Sequence, residues 1–332
     1  MLSKKIGIDL GTSTVLVYVK GEGVVVNEPA LMATDDKGGR VLAIGRAASQ
    51  LVGRGGKARS VRPVRDGNGV DYGVAGAMLQ HLIGRIVGRQ RIFRPDVMLS
   101  VGPMVTGVER RAVLEATMQA GAKTAYLIDK PMAAAIGAKV AVSSTDGIVV
   151  VNLGAGSTEM AVIVLGEIVA MQSIPIGGEA LDRAIEASIA RTRGAQLKPG
   201  DAERLKLEVG SAILPVNETS IELNGDRDGS SPPLRVSSRE VQAAIQEPLE
   251  AIVAGLERLL AQVPEARRAA VNRNGLVLSG GGAQLPGMAE FLTARVRIPA
   301  RVARDPQSCV AVGTGMALDN MQVVRRGQHY IT

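Results

Sequence analysis

Tryptophan is absent from this 332-residue chain, phenylalanine occurs twice and tyrosine four times. With aromatics at 2% and hydrophobic residues at 46%, the core has to be assembled from Val, Ile, Leu, Ala and Met. The balance is that of a globular protein rather than a disordered one. So few rings leave little for bases to stack on, and no helix-turn-helix or zinc-finger spacing is present, so nucleic acid is not an expected partner. The single cysteine, Cys309, excludes an internal disulfide and a stapled secreted scaffold. It reads as a buried structural thiol. With only His81 and His329 beside it, no zinc set can be assembled. No run approaches the ~20 apolar residues that span a bilayer; the apolar stretch 161–165 stops at Gly166 and Glu167. The first nine residues carry no apolar signal-peptide core, and a cytoplasmic protein is expected.

What is there in excess is positive charge. A net charge of +7 and a pI near 9.7 favour polyanionic partners. Nucleic acid, anionic lipid and nucleotide all qualify, and charge alone does not choose among them. The length suggests about two domains.

An internal echo organises the chain. Ile6-Gly7-Ile8 leads into Asp9-Leu-Gly-Thr-Ser-Thr and then residues 15–19, with β-branched residues flanking a short Gly/Thr turn, which is a hairpin signal. About half a chain later, residues 148–151 lead into Asn152-Leu-Gly-Ala-Gly-Ser-Thr and a strand over 160–165. Residues 35–65 read as a small inserted subdomain. Helices are expected over 74–87, 108–120, 131–138, most of 180–213, 238–260 and 310–320, with Pro248 near a bend or helix start. Strands are expected over 96–101, 126–128 and 275–278, and residues 224–233 read as a polar loop.

Two related halves, each offering one Gly-rich hairpin, make a cleft between them, and clefts between domains are favoured ligand sites. A turn of Gly and Ser/Thr exposes backbone N–H groups to an anion and adds hydroxyl donors. Two facing turns, Gly11, Thr12 and Ser13 on one side and Gly154, Ala155, Gly156, Ser157 and Thr158 on the other, would clamp a polyphosphate. Asp9 at the lip can order Mg²⁺ through water. Gly280, Gly281 and Gly282 after a strand give room for a base or ribose. Glu203 and Lys206 share a helix face and either reach the ribose and base or form a solvated ion pair. No P-loop is present, since Gly55-Gly56-Lys57 is followed by Ala58, and the dinucleotide fingerprint is also missing.

The order of these pieces resembles the actin, heat-shock chaperone and sugar kinase superfamily. Within it the chain is most similar to the MreB family. The matching stretches begin at Gly7 (GIDLGT), Asn27 (NEPA), Arg62 (RPVRDG), Val108 (VERRAV), Pro131 (PMAAAIGA), Gly154 (GAGSTE), Ala202 (AERLK), Gly280 (GGG) and Asp305 (DP). The resemblance implies an α/β, actin-like fold: two related ribonuclease H-like halves around a nucleotide cleft, each with a small subdomain. It divides the chain into subdomain IA (1–28, 62–138, 310–332), IB (29–61), IIA (139–176, 238–309) and IIB (177–237). It implies ATP or ADP with Mg²⁺, and Gly178 joins the residues already named as nucleotide contacts. It also implies a homopolymeric filament, with other cell-shape proteins as further partners. A small-molecule kinase or a chaperone-like ATPase of the same superfamily is the alternative. The first needs a base for a substrate hydroxyl and larger insertions, and the second a peptide-binding domain.

Two departures fall on the chemistry. The family pattern has Glu before the Pro-Met-Ala-Ala-Ala helix, where it positions the attacking water; here Lys130 follows Asp129. The second phosphate turn usually starts with Asp; here it starts with Asn152. An ammonium neither takes a proton nor orients water as a carboxylate does. The site should be two to three units more positive, which favours holding phosphate, with Lys130 as a point charge on it. The expectation is ATP bound but hydrolysed slowly or not at all, unless Asp129 replaces the missing carboxylate.

Finally, Ile92 and Phe93 form an apolar pair inside the arginines of residues 88–95. Exposed, they are a wedge for the interface of an anionic membrane, and the family resemblance puts a membrane contact there; the other reading tucks both into the core. A filament would repeat the wedge and gain avidity. The expected location is the inner face of the membrane.

Overall fold

Runs of Val, Ile and Leu bounded by Gly turns form the strands of two mixed sheets. The computed structural model describes residues 3–35, 40–53, 58–65, 69–88, 94–224, 233–320 and 330–331. The first half runs through β1 (Lys5–Leu10), β2 (Thr14–Val19), β3 (Gly23–Pro29), β4 (Met32–Thr34), β5 (Val41–Ile44), α1 (Arg46–Gly53) and β6 (Arg59–Val61). It continues with β7 (Val64–Arg65), β8 (Gly69–Val70), α2 (Tyr72–Val87), β9 (Asp96–Val101), α3 (Gly107–Gln119), β10 (Thr124–Asp129) and α4 (Lys130–Gly137). The second half begins with β11 (Ile148–Leu153), β12 (Thr158–Val164), β13 (Glu167–Ile174), α5 (Gly178–Arg193), α6 (Asp201–Val209), β14 (Ser220–Leu223) and β15 (Leu234–Ser237). Then follow α7 (Ser238–Ala261), α8 (Glu265–Asn274), β16 (Leu276–Ser279), a 3-10 turn (Gly281–Gln284), α9 (Met288–Val296), β17 (Ala300–Val302), α10 (Cys309–Ala317) and β18 (Tyr330–Ile331).

The echo seen in the sequence is an echo of topology. One sheet has the order β18-β10-β9-β1-β2-β3 and the other β13-β12-β11-β16-β17. Each contains an antiparallel triplet, β1-β2-β3 or β11-β12-β13, whose first strand pairs in parallel with a strand from later in the chain. The small insertion is a three-stranded sheet, β5-β4-β6, which begins at Met32 rather than at residue 35.

The valine runs lack strict alternation because both faces of the inner strands are covered. In β11, Val149 and Val151 join the core of the second half, while Ile148 and Val150 face a third cluster. In β9, Val97 and Leu99 join the core of the first half, while Met98 faces the same third cluster. That third cluster is built on α4 and α10, so one apolar layer joins the two halves. The helices cross at van der Waals limit: a Cβ on Gly313 would lie 1.8 Å from the Ala133 carbonyl oxygen. Cys309 is buried in this layer. Its thiol donates to the Asp305 carbonyl, and burial, with the charge of Asp305, pushes it up to about 11.

Pro248 lies inside the 24-residue helix α7, not at its start. The true start is Ser237, whose side chain forms a reciprocal capping box with Glu240. The helical stretch expected over 180–213 is two helices that end at Val209. Most of the expected loop 224–233 lies outside the described residues, as do Ile92 and Phe93.

Candidate functional site

Both hairpin turns close in the same way. Gly11 N–H donates to the Thr14 carbonyl at 3.0 Å, and Gly154 N–H donates to the Ser157 carbonyl at 2.9 Å. A Cβ at either glycine would come within 2.8 or 2.9 Å of that carbonyl, so any other residue would force the turn open. The turns lie on opposite walls of a cavity of about 380 Å³, a volume suited to a small-molecule ligand.

Nearly all the residues singled out in the sequence line this cavity. The first half contributes Asp9, Gly11, Thr12, Ser13 and Lys130. The second contributes Asn152, Gly154, Ala155, Gly156, Ser157 and Gly178, then Glu203, Lys206 and the three glycines 280–282. Two candidates fall elsewhere. Thr158 is fully buried, and its hydroxyl donates to the Ile176 carbonyl at 2.6 Å, which ties the second hairpin to the segment entering α5. Asp129 also lies outside the wall. It ends β10, and its carboxylate turns the other way to pair with Arg110 of α3 at 2.5 Å. As placed, its carboxylate is engaged by Arg110 rather than directed into the cavity.

Lys130, the next residue, turns inward. It opens α4, where a cation meets the positive end of the helix dipole, an unfavourable position. Its ammonium is 3.7 Å from Asp9 Oδ1, and both side chains are about one-eighth exposed. Burial by itself would lower the affinity of Lys130 for its proton. The carboxylates of Asp9 and Glu159 outweigh that effect and hold it above the ordinary lysine value. Asp9 also accepts from Ser100 Oγ at 2.7 Å.

Glu159 was not foreseen, yet it is the centre of the opposite wall. It is 1% exposed and lines the cavity. It accepts from Asn152 Nδ2 at 2.9 Å and from Ser157 Oγ at 2.6 Å. Asn152 in turn accepts from Ser279 Oγ at 3.1 Å. The signal was present in the sequence: a lone carboxylate opening the apolar run Met160–Val164 of a buried strand is unaffordable unless partnered. Glu159 also sets the absolute charge, on which the expected difference from the family pattern is silent. Positions 9, 130, 152 and 159 carry two carboxylates and one ammonium, a net of one negative charge, so the wall is not simply positive.

Lys206 and Glu203 do not form an ion pair with each other. The Lys206 ammonium reaches α5, lying 2.8 Å from Asp182 and donating to the Gly178 carbonyl at 3.1 Å. Burial is the main cause that pushes the Asp182 carboxyl up, with Glu203 and Glu179 adding to it against the pull of Lys206. Glu203 is left facing the cavity. Leu207, Leu285, Pro286 and Gln307 also line this end and were not singled out from the sequence. Beside the hairpin turns, Arg62 bridges the halves: its guanidinium pairs with Glu179 in the first turn of α5 and approaches the Thr12 carbonyl at 3.4 Å.

The Mg²⁺ expected at Asp9 finds a poor donor set. Magnesium keeps most of its water and needs carboxylates free to hold that shell. Here Asp9 is shared by Ser100 and Lys130, and Glu159 by Asn152 and Ser157. Among the described residues no trio of His, Cys, Asp or Glu could hold a metal ion. Ser100 and the Lys130 ammonium both meet Asp9 at Oδ1, and a positive charge beside the carboxylate makes these residues a poor fit to a divalent ion. Also among the described residues, no helix is long and apolar enough to cross a membrane.

Known proteins share this architecture. The MreB/Mbl protein family model matches residues 3–326. The cell shape-determining protein MreB of Escherichia coli (strain K12) is 40% identical over 328 residues, which covers 96% of this chain and 94% of that one. The crystal structure of MreB5 of Spiroplasma citri bound to ADP superposes with a TM-score of 0.89 at 30% identity, covering 98% of this chain and 99% of that one. The MamK double helical filament gives a TM-score of 0.81 at 19% identity, covering 96% and 99%, a likeness of fold alone. The actin-like fold expected from the motifs is the fold observed.

Proposed function

The chain belongs to the MreB/Mbl family, and on that premise we propose that it is an ATP-binding, filament-forming actin-like cytoskeletal protein that hydrolyses ATP slowly or not at all. Nucleotide binding is supported by the two hairpin turns facing one cavity, and by the ADP bound to MreB5. Self-association is supported by family membership and by a fold that builds a double helix in MamK. Head-to-tail subunits of this kind make open filaments.

The observation that carries the hydrolysis part is Lys130 beside Asp9. Hydrolysis needs a group that orients water and accepts its proton, and a protonated amine has no lone pair to do either. Glu159 is occupied by two donors, and Asp129 by Arg110. The nucleotide then acts as a structural ligand that holds the two halves together, and filament turnover is set by something other than hydrolysis.

Phosphate release from ATP, measured at protein concentrations that give a sedimentable polymer, tests both parts. Pelleting with background release is the expected result. Sustained release refutes the hydrolysis part, and ATP-independent failure to pellet refutes the filament. In the double variant Lys130→Glu with Asn152→Asp, turnover should rise.

We also propose that the filament lies at the inner face of the membrane through Ile92 and Phe93, with arginines 89, 91 and 94 meeting anionic headgroups. Replacing both apolar residues with Ser should abolish co-sedimentation with anionic liposomes. Undiminished sedimentation retires the assignment.

A further inference from the structure

The poor fit of the cleft to a divalent cation has a consequence for how it meets a nucleotide. A triphosphate entering between the two hairpins brings several negative charges, which something must offset. In a wall with carboxylates at all four of positions 9, 130, 152 and 159, a metal would be needed both to offset the phosphates and to keep the carboxylates from repelling one another. Here only two of the four positions carry carboxylates, and Lys130 places a cation at a third.

The hydrogen bonds show that the remaining groups are satisfied among themselves. The Asn152 amide donates to Glu159 and accepts from Ser279, which uses both ends of the side chain. A carboxylate at 152 would face Glu159 oxygen to oxygen at about this separation, and only a proton or a cation could reconcile them. The amide removes that requirement. On the other wall, Asp9 has Ser100 as donor and the Lys130 ammonium at 3.7 Å. The ammonium sits mostly buried in the lining of the cavity that both hairpin turns share.

We infer that the cleft takes its nucleoside triphosphate without a divalent cation, with the Lys130 ammonium as the fixed positive charge on the phosphates and the Asn152 amide making a metal unnecessary on the facing wall. This rests on the nucleotide-binding reading above and adds the form of the ligand, the metal-free polyanion. The ammonium is a compact point charge with three donors, so it can keep Asp9 as one partner and give the others to phosphate oxygens. Binding should therefore weaken with rising salt more than it responds to Mg²⁺.

Calorimetric titration of the full chain with ATP, once in excess Mg²⁺ and once in EDTA, tests the inference. The expected affinities agree within about fivefold. A larger loss in EDTA, with binding intact in Mg²⁺, overturns the inference and leaves the nucleotide reading standing. Absence of binding in both buffers overturns the nucleotide reading itself, and this inference with it. Lys130→Gln should lose more than about tenfold of its affinity in EDTA; affinity unchanged from the parent would overturn the role of the ammonium. Because Lys130 is partly buried, the melting temperature of the nucleotide-free parent is measured with and without Mg²⁺ as well. It should not move, and stabilisation by Mg²⁺ alone would reveal a metal site and overturn the inference without any variant.

Discussion

Asn152→Asp is the sharpest single-atom-scale perturbation of this cleft. The parent amide donates to Glu159 at 2.9 Å, and both residues are almost wholly buried. The substitution replaces a donor by a second carboxylate at the same place and nearly the same volume, so packing is preserved and the effect is electrostatic. Two unit charges roughly 3–4 Å apart at an effective dielectric constant of about 20 repel by about 5 kcal/mol. Attraction to Lys130 and small side-chain movements offset part of that, and about 2 kcal/mol of destabilisation at pH 8 is expected. In a chain of this size that is a drop of about 3 °C in melting temperature. Protonation of the crowded pair relieves the repulsion, so the gap between variant and parent should narrow as the pH falls towards 5. A divalent cation should narrow it too, in the variant alone. Thermal unfolding followed by circular dichroism over that pH range, with and without Mg²⁺, measures all three effects. If the variant melts with the parent at pH 8, Asn152 is not what keeps Glu159 in place and the reading of the cleft wall is wrong.

Three further outcomes follow from other parts of the molecule. Arg62 and Glu179 join the two halves beside the hairpin turns; an exposed pair of this kind contributes up to about 1 kcal/mol, so removing either side chain should speed release of a fluorescent ATP analogue by about two- to fivefold, and the exchanged pair R62E/E179R should restore it. Gly313→Val forces a side chain into the Ala133 carbonyl across the α4–α10 crossing, and should cost at least about 3 kcal/mol in urea unfolding; a loss under about 1 kcal/mol would mean that the crossing relaxes freely. At Glu240, burial would raise the carboxyl, but the Ser237 backbone N–H and the Arg193 guanidinium outweigh it and the net direction is down. Its stabilisation is thus present above the ordinary carboxylate range and lost as the pH falls through the lowered value. Glu240→Gln should therefore lower the melting temperature at pH 7, and the difference from the parent should shrink as the pH falls below the ordinary carboxylate range.

Local order and periodicity carried much of the fold. Ile6–Ile8 and residues 148–151 read as strands because unbroken β-branched runs next to Gly turns have few other conformations to adopt. The repeat of that unit half a chain apart announced two related halves and a cleft, and family motifs supplied the name of the architecture. Short edge strands such as β17 and β18 were not legible, because three or two residues carry no period; they are strands only because β16 and β10 offer them a free edge. Pro248 reads as a possible helix start for a similar reason: a 24-residue amphipathic helix held by eight buried side chains outweighs one lost N–H.

The strand runs and the paired Gly-rich turns by themselves pointed to two α/β halves around a cleft, and the resemblance to a known family added that Lys130 and Asn152 stand where carboxylates were expected. Only the tertiary structure decided what those two replacements face. Asp129 and Lys130 are neighbours in sequence, yet one turns to Arg110 outside the cleft and the other to Asp9 within it. Glu159, seven residues from Asn152, becomes its partner because β11 and β12 pair in the register Asn152↔Glu159. Charge is a property that a sequence states outright, but its effect depends on the distance and burial of the opposing charge, and those are set by how separate strands are brought together.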